Sequence, residues 1–280
     1  MNISSHYKLK QFIPWTRTKI YQMLLISIVP TVLFYFLHIK WLGIPWVPVA
    51  LLGTATAFIS GFKNTQTYNR SWEARQIYGA IINSSRAFGI MVKDFVRSND
   101  SSEQALLHKE IIYRHFAWLT ALRFQLREVK SWENIKTKSY NREFLKYYKV
   151  PEWESNLEEE LKPFLQEDEI HYILTTKNRA TQIISMQSST LSKLNKEGYI
   201  SDFYFASLEN QLKDLYDQQG KSERIKNFPY PRQFSSINIF FTNLFCLLLP
   251  LGFLGEFSKL TDKFGENIIW LTVPFSIILG

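Results

Sequence analysis

The stretch that decides the reading is GTATAFISGFKNTQTYNRSWEAR, Gly53–Arg75. Taken as a helix, it carries three rows at four-residue spacing, the repeat that stacks side chains on one face. Gly53, Ala57 and Gly61 make a small face. Thr54, Phe58 and Phe62 make a second, and Thr56, Ser60 and Asn64 a hydroxyl and amide face beside them. The apolar part then passes into KNTQTYNRSWEAR with no Gly or Pro to stop it, so the helix is expected to continue into a polar environment.

The surroundings explain why the front of this helix is apolar. No Lys, Arg, Asp or Glu occurs between Ile20 and Ile39, between Trp41 and Phe62, between Gln233 and Gly255, or from Asn267 to Gly280. Three of these runs suit the roughly 20 residues that a helix needs to cross about 30 Å of hydrocarbon. The fourth ends inside the apolar phrase IIWLTVPFSIILG and is expected to be a membrane helix cut short. Buried strands would need turn signals every few residues, and none interrupts the runs. Pro30, Pro250 and Pro274 lie within them, which membrane helices tolerate because neighbouring groups re-satisfy the freed carbonyls.

The first run follows Lys8, Lys10, Arg17 and Lys19, but it is too long for a cleaved signal peptide and no small-residue cleavage site follows it. The one cysteine, Cys246, lies in the third run, where it reads as an apolar filler and excludes a disulfide framework. Residues 1–63 hold six basic residues and no acidic one, so the net charge of +8 is mainly membrane-flanking. By the rule that basic flanks stay inside, the N-terminus and residues 64–232 are expected to be cytoplasmic, in an inner or plasma membrane. The middle is nearly balanced in charge and shows no basic stripe, which argues against nucleic acid as a partner.

That middle reads as successive helices. Ser101 or Ser102 is the expected N-cap of one. A second breaks at Pro163 and ends at Gly198 as C-cap, and a third runs from Ser201 as N-cap to Gly220. The expected organisation is a membrane segment over 1–63, a cytoplasmic helical domain over 64–232 and further membrane helices over 233–280, an all-α integral membrane protein.

Catalytic signals are missing. There is no Gly-rich phosphate loop and no GxSxG, and His108 and His115 lack metal-ligand spacing. Glu169 to His171 does not form a di-iron Glu-x-x-His pattern. No catalytic residue, metal or cofactor is expected.

In a bilayer, the Gly53, Ala57, Gly61 row suits close helix packing, with Thr56 and Ser60 able to bond between helices. On periodicity alone, Phe58 and Phe62 read as ordinary core or lipid-facing aromatics. The unbroken polar continuation, with Arg70 and Glu73 at ion-pair spacing, favours instead a helix that carries a conduit out of the membrane.

The run FISGFKNTQTYNRSWEARQIYG, with SERIKNFPYPRQFSSINIFFTNLFCLLLPLGFL before the third membrane segment, resembles the bestrophin family, specifically its bacterial branch. The motif is Gly61-Phe62, then Arg70, Trp72 and Glu73-Ala74-Arg75, and the likeness spans essentially the whole chain. It implies a homopentameric ion channel with four membrane helices per subunit, contacting membrane lipid and conducting inorganic ions, chloride and other anions by family. The second membrane helix would line a hydrophobic neck, whose row falls on Thr54, Phe58 and Phe62. Thr54 departs from the larger apolar residue of relatives, so the outer constriction is expected to be wider or wetter. A cytoplasmic constriction falls on Ala206, where relatives often carry Ile or Val. Animal members bind calcium just after the fourth membrane helix; bacterial members generally lack that dependence, so no metal is assigned.

Two other classes share the hydropathy. A membrane scaffold or signalling protein needs no apolar row on an axis, and oligomeric state separates it from a channel. A membrane enzyme needs clustered polar groups at membrane depth, and the runs offer only His38 near one edge.

Overall fold

The computed structural model describes residues 9–135, 137–145 and 147–280. Lys8, one of the basic residues before the first run, lies outside the described residues. Among those described, the chain is helical with no strand, and it divides into two compact units.

The first unit comprises residues up to Tyr68, Asn134–Tyr147 and Tyr230–Gly280. Helix α1 (Leu9–Phe36) keeps Pro14 and Pro30 inside it. It ends at a reversal where His38 takes a positive φ of 52°, followed by a 3-10 turn over Lys40–Leu42. Helix α2 (Trp46–Phe95) starts in this unit. Helix α3 (Ser101–Arg127) belongs to the second unit, and the short α4 (Ser139–Phe144) to the first, where Glu143 pairs with Arg17.

Three further helices complete the first unit: α9 (Arg232–Ser258), with Pro250 inside, α10 (Thr261–Phe264) and α11 (Thr272–Leu279). Helix α9 packs closely on the start of α2 because of two glycines. A Cβ on Gly252 would meet Trp46 at 3.0 Å, and one on Gly255 would stand 2.3 Å from the Ile44 carbonyl oxygen. Two small apolar clusters result, Phe34 with Leu254 and Ile269, and Val49 with Leu249 and Phe253.

α1, α2 and α9 are long and apolar enough to cross a membrane. The fourth apolar run differs from a single regular helix. It opens as a 3-10 segment over Glu266–Leu271 and becomes α-helical only at Thr272. Pro274 falls in the first turn of α11, where its missing N–H costs nothing.

The second unit comprises Asn69–Glu133 and Tyr148–Pro229. It contains the later part of α2, α3, then α5 (Leu157–Leu161), α6 (Glu167–Thr175), α7 (Arg179–Lys196) and α8 (Asp202–Asn227). One continuous core joins them, with Phe88 and Val92 of α2, Trp118 of α3, Ile183 and Leu191 of α7 and Leu208 and Leu215 of α8.

Several helix ends depart from the sequence reading, each for a local reason. The N-cap of α3 is Asp100, whose carboxylate accepts from the Ser102 amide at 2.9 Å and whose pKa these bonds lower; neither serine holds that position. The helix expected from Pro163 to Gly198 is broken again, because Thr176 leaves helical geometry and Asn178 caps α7 by accepting from Thr181. Gly198 does end α7, at φ 85°, with the Tyr199 amide donating to Leu194 at 2.9 Å in the double-bonded αL stop. Gly220 does not end α8, which continues seven residues further to Asn227. A glycine inside a helix costs only about 1 kcal/mol, and buried Leu215, Gln218 and Gln219 keep this part of α8 packed.

Candidate functional site

The first unit presents the α2 rows in two different ways. The hydroxyl face turns to α9: Thr56 Oγ1 bonds the Leu52 carbonyl at 2.8 Å and reaches the Phe241 carbonyl at 3.4 Å, and Ser60 Oγ donates to Asn238 Oδ1 at 3.1 Å. Asn238 and Phe241 were missed in the sequence. The available signal was an amide inside an otherwise apolar run, the kind of residue that joins membrane helices.

Among the described residues, the small face is covered at its N-terminal end. Gly53 lies under the Phe245 ring, which would stand 2.7 Å from a Cβ there. Ala57 and Gly61 are exposed, and a Cβ on Gly61 would meet nothing within 4 Å.

The Thr54, Phe58, Phe62 row is exposed throughout. Phe58 keeps 67% of its surface and Phe62 58%, their rings set edge to face with centroids 4.7 Å apart. That arrangement is favourable between aromatic quadrupoles and holds the rings as one body. The Thr54 hydroxyl bonds the Ala50 carbonyl of its own helix at 3.0 Å, so its proton is engaged by the backbone. The row therefore offers two mutually packed rings and one threonine to whatever lies beyond the chain.

From Lys63 on, α2 turns polar without a break. Arg70 and Glu73 do not pair with each other as their spacing suggested. Arg70 donates to the Ile225 carbonyl and Glu73 pairs with Arg224, both on α8. Tertiary partners displaced the i,i+3 pair because α8 brings a cation and a bare C-terminal carbonyl to the same side of α2. Ala206 is exposed near the start of α8, one turn beyond Phe203, itself 77% exposed.

A second polar feature is interior to the second unit. Arg114 is buried and donates to Glu169 at 2.7 Å, Glu110 at 3.0 Å and Thr190 at 2.8 Å, joining α3, α6 and α7. His115 beside it lies between Phe88 and Trp118, each ring centroid 5.3 Å away, and its Nε2 has no partner. Burial lowers its pKa to about 4, so it is neutral near pH 7. His108 instead bonds the Val96 carbonyl through Nε2 at 2.9 Å. Both histidines thus have packing surroundings.

A family model described as "Bacterial/Fungal Bestrophin protein" matches residues 13–277. The chain belongs to the bestrophins. Among curated proteins, this bestrophin is 25% identical over 249 residues to the voltage-dependent anion channel-forming protein YneE of Escherichia coli, covering 87% of this chain and 71% of that one. It is 22% identical over 237 residues to a voltage-dependent anion channel-forming protein of Ralstonia nicotianae, covering 83% and 68%. Among solved structures, a bacterial bestrophin homologue from Klebsiella pneumoniae superposes with a TM-score of 0.70 at 22% identity, over 94% of this chain and 84% of that one. The bestrophin fold is common to both.

Proposed function

We propose that this bestrophin is one subunit of a homopentameric channel that conducts anions passively across a cell membrane, with Thr54, Phe58 and Phe62 of each α2 forming the neck. The observation that carries the reading is the exposed, mutually packed Phe58–Phe62 pair on a helix whose hydroxyl face is already occupied by α9. Among the described residues this row is left uncovered, and a ring of copies gives it a partner. The relatives' description as voltage-dependent anion channel-forming proteins supports anions as the ion class.

In this arrangement Ala57 and Gly61 pack against the neighbouring copy, since small residues allow close approach in lipid. Phenyl rings on the axis form a constriction that gates by dewetting, and rings presenting their positive edges favour anions. Ala206 forms a second, wider constriction. The N-terminus and residues 64–232 lie on the cytoplasmic side, residues 1–63 and 233–280 carry four membrane helices, and no catalytic step or metal is involved.

The test is ion flux from the purified protein in liposomes, with chloride and sodium gradients imposed separately. Chloride flux that rises in Phe58→Ala or Phe62→Ala supports the neck. Equal conductance of parent and both variants in planar bilayers removes the neck assignment, and absence of flux with either gradient favours a scaffold.

A further inference from the structure

Apart from the α2 row, the second unit contains a cleft of about 490 Å³ between the end of α3, the segment Glu152–Leu157 and the start of α7. Sites for small molecules have volumes of about 300–1,000 Å³. We propose that this cleft binds a small organic anion bearing a planar ring.

The charge argument rests on which lining groups are already compensated. Two carboxylates line the cleft, and both have cations elsewhere: Glu152 pairs at 3.3 Å with Arg123, which it shares with Glu160, and Glu128 with Lys130 at 2.6 Å. Three cations also line it, and none has a carboxylate partner among the described residues. Arg127 donates to the neutral Tyr148 hydroxyl at 3.2 Å, while Lys177 and Arg179 stand at the start of α7 without an ion pair. The uncompensated charge facing the cleft is therefore positive.

The backbone adds to it. α7 is 18 residues long, and its first amides point out of its N-terminus, where the helix dipole favours negative charge. The opposing end of α3 would disfavour an anion through its bare carbonyls. One of these, that of Arg127, is engaged by the Trp153 indole N–H at 2.8 Å. Trp153 and Phe124 both line the cleft, so an aromatic surface stands at this wall. Cations at one wall and an aromatic surface at another match a charged head on a flat body. The ring supplies packing area, and the head supplies orientation.

The experiment is isothermal titration of the purified full chain in detergent with phenyl phosphate, and with inorganic phosphate as the head alone. Saturable binding of one phenyl phosphate per chain is expected, with phosphate weaker by about tenfold or more and each of Lys177→Glu and Arg179→Glu weakening phenyl phosphate by about tenfold. Arg179 is the first residue of α7 and Lys177 precedes its cap, so a glutamate at either faces the positive end of the helix dipole and α7 survives either change; circular dichroism checks this. No saturable heat, or binding unchanged in both variants, overturns the site. Phosphate binding as tightly as phenyl phosphate overturns the ring half of the proposal. Because binding is read without flux, failure here leaves the channel reading standing.

Discussion

Phe58 and Phe88 lie on the same helix in opposite surroundings. Phe58, in the first unit, is 67% exposed, and Phe88, in the second, is fully buried against the His115 ring. The contrast extends to the units. Only 11% of the most apolar stretch of α2 is buried within the chain, whereas the second unit closes a core running through α2, α3, α7 and α8. A water-soluble unit must bury its own apolar surface. A membrane unit can leave its apolar surface to lipid and to other copies, because hydrocarbon exerts no hydrophobic penalty on it. An exposed phenylalanine thus means different things in the two regions.

Removing the buried ring should have the largest effect. Phe88→Ala is expected to cost the second unit about 3–5 kcal/mol, read as lost hydrogen-exchange protection in α3 and α7; unchanged protection would dissolve the distinction between the two phenylalanines. The next effect depends on pH. His115 titrates near 4 when folded, against an ordinary value of 6.5, so the unfolded chain binds the proton first as pH falls. The stability from keeping it neutral is complete above about pH 6.5 and declines as pH drops towards 4, by about 3 kcal/mol in all. His115→Phe should remove that acid-side decline, and the same pH series of exchange measurements checks it.

Gly255→Ala sharpens the comparison from the membrane side. Its Cβ would meet the Ile44 carbonyl, a backbone atom that cannot rotate away. A loss of about 1–3 kcal/mol is expected, visible as a lower melting temperature in detergent, while Gly61→Ala, whose Cβ meets nothing within 4 Å, stabilises the isolated chain by about 0.5–1 kcal/mol. The smallest stability effect belongs to Phe58→Ala, within about 0.5 kcal/mol for the single chain. Its consequence should appear in chloride flux instead, and a large loss of stability in a monomeric preparation would show that the ring supports its own chain.

The helical class, the apolar runs and the likeness to bestrophins could be read from the sequence because each depends on patterns within a segment. So could the α7 stop, since Gly198 at positive φ is a local requirement. The 3-10 opening of the last run and the extension of α8 past Gly220 were less legible. Composition ranks segments by burial, but it does not report where neighbouring helices hold a segment in place. At the candidate site, spacing put Thr54, Phe58 and Phe62 on one face and the likeness to bestrophins suggested its role, whereas the α9 partners of Thr56 and Ser60 lie far along the chain, beyond the reach of periodicity.

By itself, the sequence determined that this is an all-helical chain with membrane-length apolar runs, and which residues share a face of α2, because hydropathy and the helical repeat are properties of contiguous residues. Only the tertiary structure decided which of those faces its own chain covers. It turned Thr56 and Ser60 to α9, left Phe58 and Phe62 uncovered, and drew Arg70 and Glu73 away from each other to α8. The physical reason is that helix faces are fixed by local geometry, while partners are selected among distant groups competing for the same hydrogen bonds and surface.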